Sequence, residues 1–201
     1  MTEPDYHRST NKAYEVLNKL PTFSHITNIF EILNYFKKIK IQTYSDAAMG
    51  LGISFDSFCE CVSSDYGFSI KEPSSSKTLI LYNDRKNITV IRFTLAHELG
   101  HYCLEHIEDG SCEDREANCF ARNLLCPIPV ATELGLNTVS NYAQFFNVSD
   151  LMAKVALDKR KCDLYNISDN NYSVLNDKMY CYFNGITLAE LYGYSERRMY
   201  L

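Results

Sequence analysis

The chain has 201 residues, 46% of them apolar and 22% charged, and a formal net charge of −5. That length suffices for one domain with a full core or two small ones, and the plentiful Leu, Ile, Val, Phe and Tyr exclude a disordered chain. The acidic balance argues against the broad basic surface of a general nucleic-acid binder, and no apolar run approaches the roughly 18–20 residues of a membrane span. The opening residues MTEPDYHRST carry acids and no apolar stretch, so no signal peptide is read there and a cytoplasmic location is expected. In that reducing compartment the eight cysteines, which form no CxxC pair, are expected to be mostly small buried residues rather than a disulfide framework or a cysteine zinc finger.

In chain order, Ser9 or Thr10 can cap a first helix carrying Ala13, Val16, Leu17 and Leu20, with Pro21 as a stop. Ile26, Ile29, Phe30, Leu33 and Phe36 recur at helical spacing and predict a second helix from Ser24 to Lys38. Ile39 to Tyr44 alternates like a strand. Ser45 and Asp46 cap a short helix ending near Gly50 and Gly52, and another helix covers Phe55 to Val62. Tyr66 to Lys71 and Lys77 to Tyr82 read as a hairpin with Pro73 and three serines in its loop. A long helix follows from Ile88 to His106, broken by Asp109, Gly110 and Ser111. The next runs from Cys112 to Leu125 and ends at Cys126-Pro127. Short helices are predicted at Val139 to Phe146 and Ser149 to Lys159, and a strand-like run at Met179 to Phe183 in a Tyr- and Asn-rich tail.

The chemistry concentrates in the long helix, which reads Thr94-Leu95-Ala96-His97-Glu98-Leu99-Gly100-His101. Residues four apart lie about 40° apart around a helix axis. His97 and His101 can therefore aim two imidazoles at one point, which is half of a tetrahedral zinc site. The same stripe holds Val90, Phe93 and Leu104, and two histidines on an apolar stripe need partners that a metal supplies. Glu98, one residue round the helix, is placed to reach a metal-bound water as general base. A third ligand is expected from the following helix. Glu116 heads an apolar stripe with Phe120 and Leu124 and is the expected ligand, with Glu113 as runner-up. Glu113 and Asp114 also have a simpler role, as first-turn acids on the helix dipole. His106 falls about 180° round the helix from His97, so it is read as structural unless the helix ends before it.

These residues resemble the ImmA/IrrE family of zinc metallopeptidases. The resemblance is carried by Phe93 to His101, then by Glu116-Ala117-Asn118, Phe120-Ala121, Leu124-Leu125 and Pro127. Asp65-Tyr66-Gly67-Phe68, Tyr82-Asn83-Asp84 and Val148-Ser149 extend it over roughly residues 25 to 160. It implies one Zn2+ held by His97, His101 and Glu116, with Glu98 as catalytic base, and a substrate among helix-turn-helix transcriptional repressors of mobile elements or stress regulons. The C-terminal zinc ribbon of some relatives, with two CxxC pairs, would map onto Cys162 and Cys181, each of which lacks its second cysteine, so no second zinc is expected.

The expected fold is thus α+β, a mainly helical zincin-like metallopeptidase domain over residues 1–162 with a small antiparallel sheet. Residues 163–201 form a C-terminal extension, a degenerate zinc ribbon at most. Lys77 to Tyr82, with Lys77, Leu79 and Leu81, is expected as an edge strand that could pair with an extended substrate, and Tyr102 as a group that could bind a substrate carbonyl. Val139 to Lys159 has a helix-turn-helix look with Lys154, Lys159, Arg160 and Lys161, but the acidic balance favours two packed helices over DNA contact. The rival reading is a non-hydrolytic, metal-containing module that sequesters a repressor. The presence of Glu98 argues against it, because a purely structural site has no need of a base.

Overall fold

Side-chain caps set where most helices begin. The computed structural model describes residues 3–72, 77–107 and 110–193. Asp5 accepts from the Arg8 amide and opens α1 (Tyr6–Lys19), so Ser9 and Thr10 lie buried inside the helix instead of capping it. Asn28 opens α2 (Ile29–Asn34), which is far shorter than the span Ser24 to Lys38. Thr43 caps α3 (Tyr44–Leu51), which ends at Gly52 with φ +68°, and Ser54 caps α4 (Phe55–Cys61). Asn87 caps α5 (Ile88–Cys103). Then come α6 (Ser111–Leu125) and α7 (Ile128–Glu133), the latter entered through Pro127. Thr138, Ser149, Ser168 and Thr187 cap α8 (Val139–Phe146), α9 (Asp150–Asn166), α10 (Asp169–Asn184) and α11 (Leu188–Leu191). Each such bond satisfies an amide that has no partner within its helix.

The strands β1 (Ile39–Thr43), β2 (Gly67–Lys71) and β3 (Thr78–Tyr82) form one sheet in the order β1-β3-β2. β2 and β3 are the expected hairpin, with Ser69 opposite Ile80. β1 runs parallel to β3, with Ile41 opposite Ile80, so the sheet is mixed rather than wholly antiparallel. The loop of Pro73 and the three serines lies outside the described residues, as does Asp109. β3 is the central strand, bonded on both sides, so Lys77 to Tyr82 is not an edge that could accept a substrate strand. Its backbone groups are already paired, and Leu81 is buried.

Alternation along β3 divides the interior. Ile80 faces the main core with Tyr14, Ile29, Ile32, Leu95, Leu99, Phe120 and Leu124. Leu79 and Leu81 face a smaller cluster in which Tyr44, Ala47, Ala48 and Phe58 of α3 and α4 cover the other side of the sheet. α5 runs through the middle, against β2, β3, α1, α2 and α6. Buried Arg92 ties it to the α8–α9 turn by donating to the Phe146 and Asn147 carbonyls, and also donates to the Thr27 carbonyl.

The C-terminal part is helical. α9 runs straight through position 162, and Asp163, expected to begin an extension, is 2% exposed and paired with Arg122 of α6 at 2.7 and 2.8 Å. Met179 to Phe183 is helix, not strand: Leu175, Met179 and Cys181 supply its buried face, and Gly185 with φ +64° ends it. α10 packs on α1 and α7. Cys162 is exposed on α9 and Cys181 buried on α10, both as free thiols on helices. Among the described residues no helix is long and apolar enough to cross a membrane.

Candidate metal centre

The site forms where α5 meets α6. The closest approach is at Gly100, where an added Cβ would stand 3.1 Å from the Ala117 Cα and 3.2 Å from the Ala117 carbonyl oxygen. The absence of a side chain at position 100 lets the two helices come this near without displacing α6 backbone. Their proximity brings residues at the start of α6 beside His97 and His101.

The Nε2 atoms of His97 and His101 lie 3.0 Å apart, as their spacing on the helix requires. The third oxygen beside them belongs to Asp114, whose Oδ1 is 3.5 Å from His101 Nε2 and 3.8 Å from His97 Nε2. Three ligand atoms held tetrahedrally at zinc's usual ~2.0–2.1 Å sit about 3.3 Å from one another, so these separations fit a single ion. Two imidazoles and a carboxylate are also a donor set that zinc favours.

Glu116 is not in this group. It is buried, as its stripe implied, but while Phe120 and Leu124 enter the main core Glu116 itself faces the end of α5. There its Oε2 lies 2.9 Å from His106 Nε2, and its Oε1 accepts from the Asp5 amide at 2.8 Å. His106 reaches this position because α5 ends at Cys103. Glu105 adopts φ +58°, the chain turns back, and the His106 amide donates to the His101 carbonyl. His106 Nδ1 then stands 3.0 Å from His101 Nδ1. On the other ring, His97 Nδ1 pairs with Asn118 Oδ1 at 3.0 Å. Asp114 and Asn118, one turn apart on α6, are exposed at the rim where a metal with an open position must lie.

Beside the pair runs a cleft of about 590 Å³. His97, Glu98 and Asn118 form part of its floor, and Tyr66, Val90, Phe93, Leu151, Met152 and Val155 form largely apolar walls. Glu98 is 8% exposed and faces the same space as His97. Tyr102 lies elsewhere. It packs edge-on against Phe36 and lines a separate, larger cavity of about 800 Å³ between α1, α2 and the end of α5, so it is not placed to bind a substrate at the histidines.

Sequence reasoning did not place Asp114 or Asn118 beside the histidines, and it placed His106 on the far side of the helix unless the helix ended first. The signal for the first two was their i, i+4 relation on the exposed side of α6. For His106 there was none, because no glycine or proline marks the end of α5.

Residues 60–158 match the family model described as the IrrE N-terminal-like domain, a peptidase family, and over that segment the chain belongs to the ImmA/IrrE family. The matched segment starts in α4 and ends within α9, leaving α1, α2, β1, α3, α10 and α11 outside it. No curated protein matches the chain.

Proposed function

We propose that the chain is a zinc-dependent endopeptidase acting on a protein substrate, and that Asp114 takes the ligand role expected of Glu116. The observation that carries this reading is the convergence of His97, His101 and Asp114 within 3.0–3.8 Å beside the cleft that holds Glu98. Zinc at these three residues would act as a Lewis acid toward the scissile carbonyl and bring its water toward a neutral pKa. Glu98, about 100° round the helix from His97, takes the proton of the attacking water on a carboxylate oxygen. The new C–O bond forms as that proton leaves the water, and Glu98 then hands the proton to the amide nitrogen as the C–N bond breaks. The apolar walls exclude water around Glu98 and receive apolar side chains of an extended segment. The open backbone edge nearest the cleft is that of β2, whose residue Gly67 lines it.

A helix-turn-helix transcriptional repressor of a mobile element or stress regulon, met in the cytoplasm, is the substrate class we infer. The support is family membership over residues 60–158. The test uses the zinc-loaded chain and the repressor encoded nearest to it. Cleavage is expected for the wild type, with Glu98→Gln slowed by about 10²–10⁴-fold while zinc content and repressor binding are retained. Asp114→Ala should lose zinc where Glu113→Ala does not. Wild type that binds the repressor with zinc in place, yet never cuts it, is a sequestering module and not a peptidase.

A further inference from the structure

We propose that Glu116 and His106 are positioning residues, a two-step relay that holds His101 with its Nε2 lone pair turned into the metal site. The inference rests on the metal-centre reading above and assigns a role to two buried polar groups which that reading does not use. His106 and Glu116 are each 8% exposed, and burying such groups is costly unless their bonds are met.

The direction of the relay follows from hydrogen-bond chemistry. Glu116 accepts the Asp5 amide on one oxygen and faces His106 Nε2 with the other. A carboxylate has only acceptors to offer, so His106 Nε2 must be the donor. With one proton per ring, His106 Nδ1 then presents a lone pair. Its partner at 3.0 Å, His101 Nδ1, must donate into it. The proton of His101 is thereby fixed on Nδ1, and Nε2 is left as the coordinating atom. Asn118 Oδ1 fixes His97 in the same sense by accepting from its Nδ1. Both imidazoles are therefore set with Nε2 toward Asp114. Partners that lock the tautomer and ring angle of a ligating histidine are typically worth 10–100-fold in metal affinity.

The relay is anchored from outside the matched segment. Asp5 is the cap residue of α1, and Arg8 of the same helix donates to the Leu104 carbonyl at 2.6 Å, at the turn that delivers His106. The start of α1 thus holds Glu116 and the end of α5 together.

Long-range proton–nitrogen NMR of the zinc-loaded protein, in which an ion rather than a hydrogen bond joins the two Nε2 atoms 3.0 Å apart, reads the tautomers directly. The expected pattern is Nδ1–H on His101 and Nε2–H on His106. His106→Phe should weaken zinc about 10–100-fold, and His106→Asn, whose amide oxygen can stand in for Nδ1 as acceptor, should recover part of that loss. The cobalt(II)-loaded protein separates relay from ligand: Glu116→Gln should keep the wild-type absorption bands at lower affinity, whereas Asp114→Ala should change them. Nε2–H on His101, wild-type zinc affinity in a folded His106→Phe, or a Glu116→Gln spectrum that loses the wild-type bands would each overturn the relay. If the tautomers are as described but the zinc-loaded chain cuts no repressor, the relay stands and the peptidase reading falls.

Discussion

At the residue scale, a side chain's neighbours decide what its chemistry is worth. Glu116 and Asp114 are both acids on one helix, yet the buried one pairs with His106 and the exposed one stands beside His97 and His101. The His97, Glu98 and His101 pattern was legible because helical periodicity alone converges the two imidazoles. Asp114 was not, since a first-turn acid is equally accounted for by the helix dipole. The cysteines show the same dependence. Burial pushes the Cys103 thiol up to about 12, with nearby Lys12 and Lys19 countering only in part, so little thiolate exists there at neutral pH. Cys126, buried at the entry to α7, is raised further by the same cause. Cys61 and Cys162 are exposed. Iodoacetamide at pH 7.5 should therefore modify Cys61 and Cys162 first. Mass spectrometry finding Cys126 labelled as early as these two would contradict its burial.

At the element scale, α5 and α6 are held close by a missing side chain. Gly100→Ala gains about 1 kcal/mol in helix propensity but places a methyl 3.1–3.2 Å from backbone atoms of Ala117. Overpacking of this kind costs roughly 1–3 kcal/mol, and helix backbone yields less readily than a side chain. The expected result is a lower thermal midpoint together with weaker zinc binding; a higher midpoint would mean that the two helices part easily. A second contact joins elements across the sheet. Asp84, in the turn after β3, accepts the Ser45 amide at 3.1 Å and the Ser45 hydroxyl at 2.7 Å, serving the first turn of α3. Burial raises the pKa of Asp84, and the two Ser45 bonds, with its own amide and the Arg85 charge, together more than offset that, leaving it below the ordinary carboxylate value. A lowered folded pKa gives stability that is present above the unfolded value, near 3.9, and lost as pH falls through the folded one. Asp84→Asn should thus be less stable than wild type at pH 7 by about 1 kcal/mol or less, with the gap closing below about pH 4. Denaturant titrations at both pH values check this, and a gap that widens in acid would reverse the sign. The order of the sheet could have been taken from Thr78 to Tyr82, because an unbroken apolar run suits a strand covered on both faces. Met179 to Phe183 misled for a converse reason: its aromatic residues suit a strand, but the Ser168 cap and Gly185 enclose them in a helix.

At the scale of the whole molecule, the family segment is wrapped by parts of the chain beyond it. Asp163 and Arg122 make a buried bidentate pair between α9 and α6. Burial alone would lower the Arg122 pKa, and the bonds and charge of Asp163 outweigh it, so the guanidinium stays charged. Asp163→Ala would strand that charge, and losses of about 3–5 kcal/mol are typical when one partner of a buried pair is removed. Arg122→Met with Asp163→Leu should recover much of this. Urea midpoints of the three proteins test it, and a double variant no better than the single would show that the pair also fixes geometry that apolar packing cannot replace. The change to a Tyr- and Asn-rich composition after residue 162 does not coincide with the end of an element, because it falls inside α9, which runs on to Asn166.

The anchoring of Glu116 by Asp5 has a thermodynamic corollary. The groups that set the metal ligands come from the start of α1, the end of α5 and the start of α6, so they come together only in the folded chain. An ion that binds this arrangement and not the unfolded chain draws the folding equilibrium toward the native state by mass action. Free zinc at a hundred times its dissociation constant adds about 2.7 kcal/mol. The melting temperature of the entire chain, α1 included, would then report the zinc concentration around it, and the depth of that response would measure how firmly the first helix grips the metal centre.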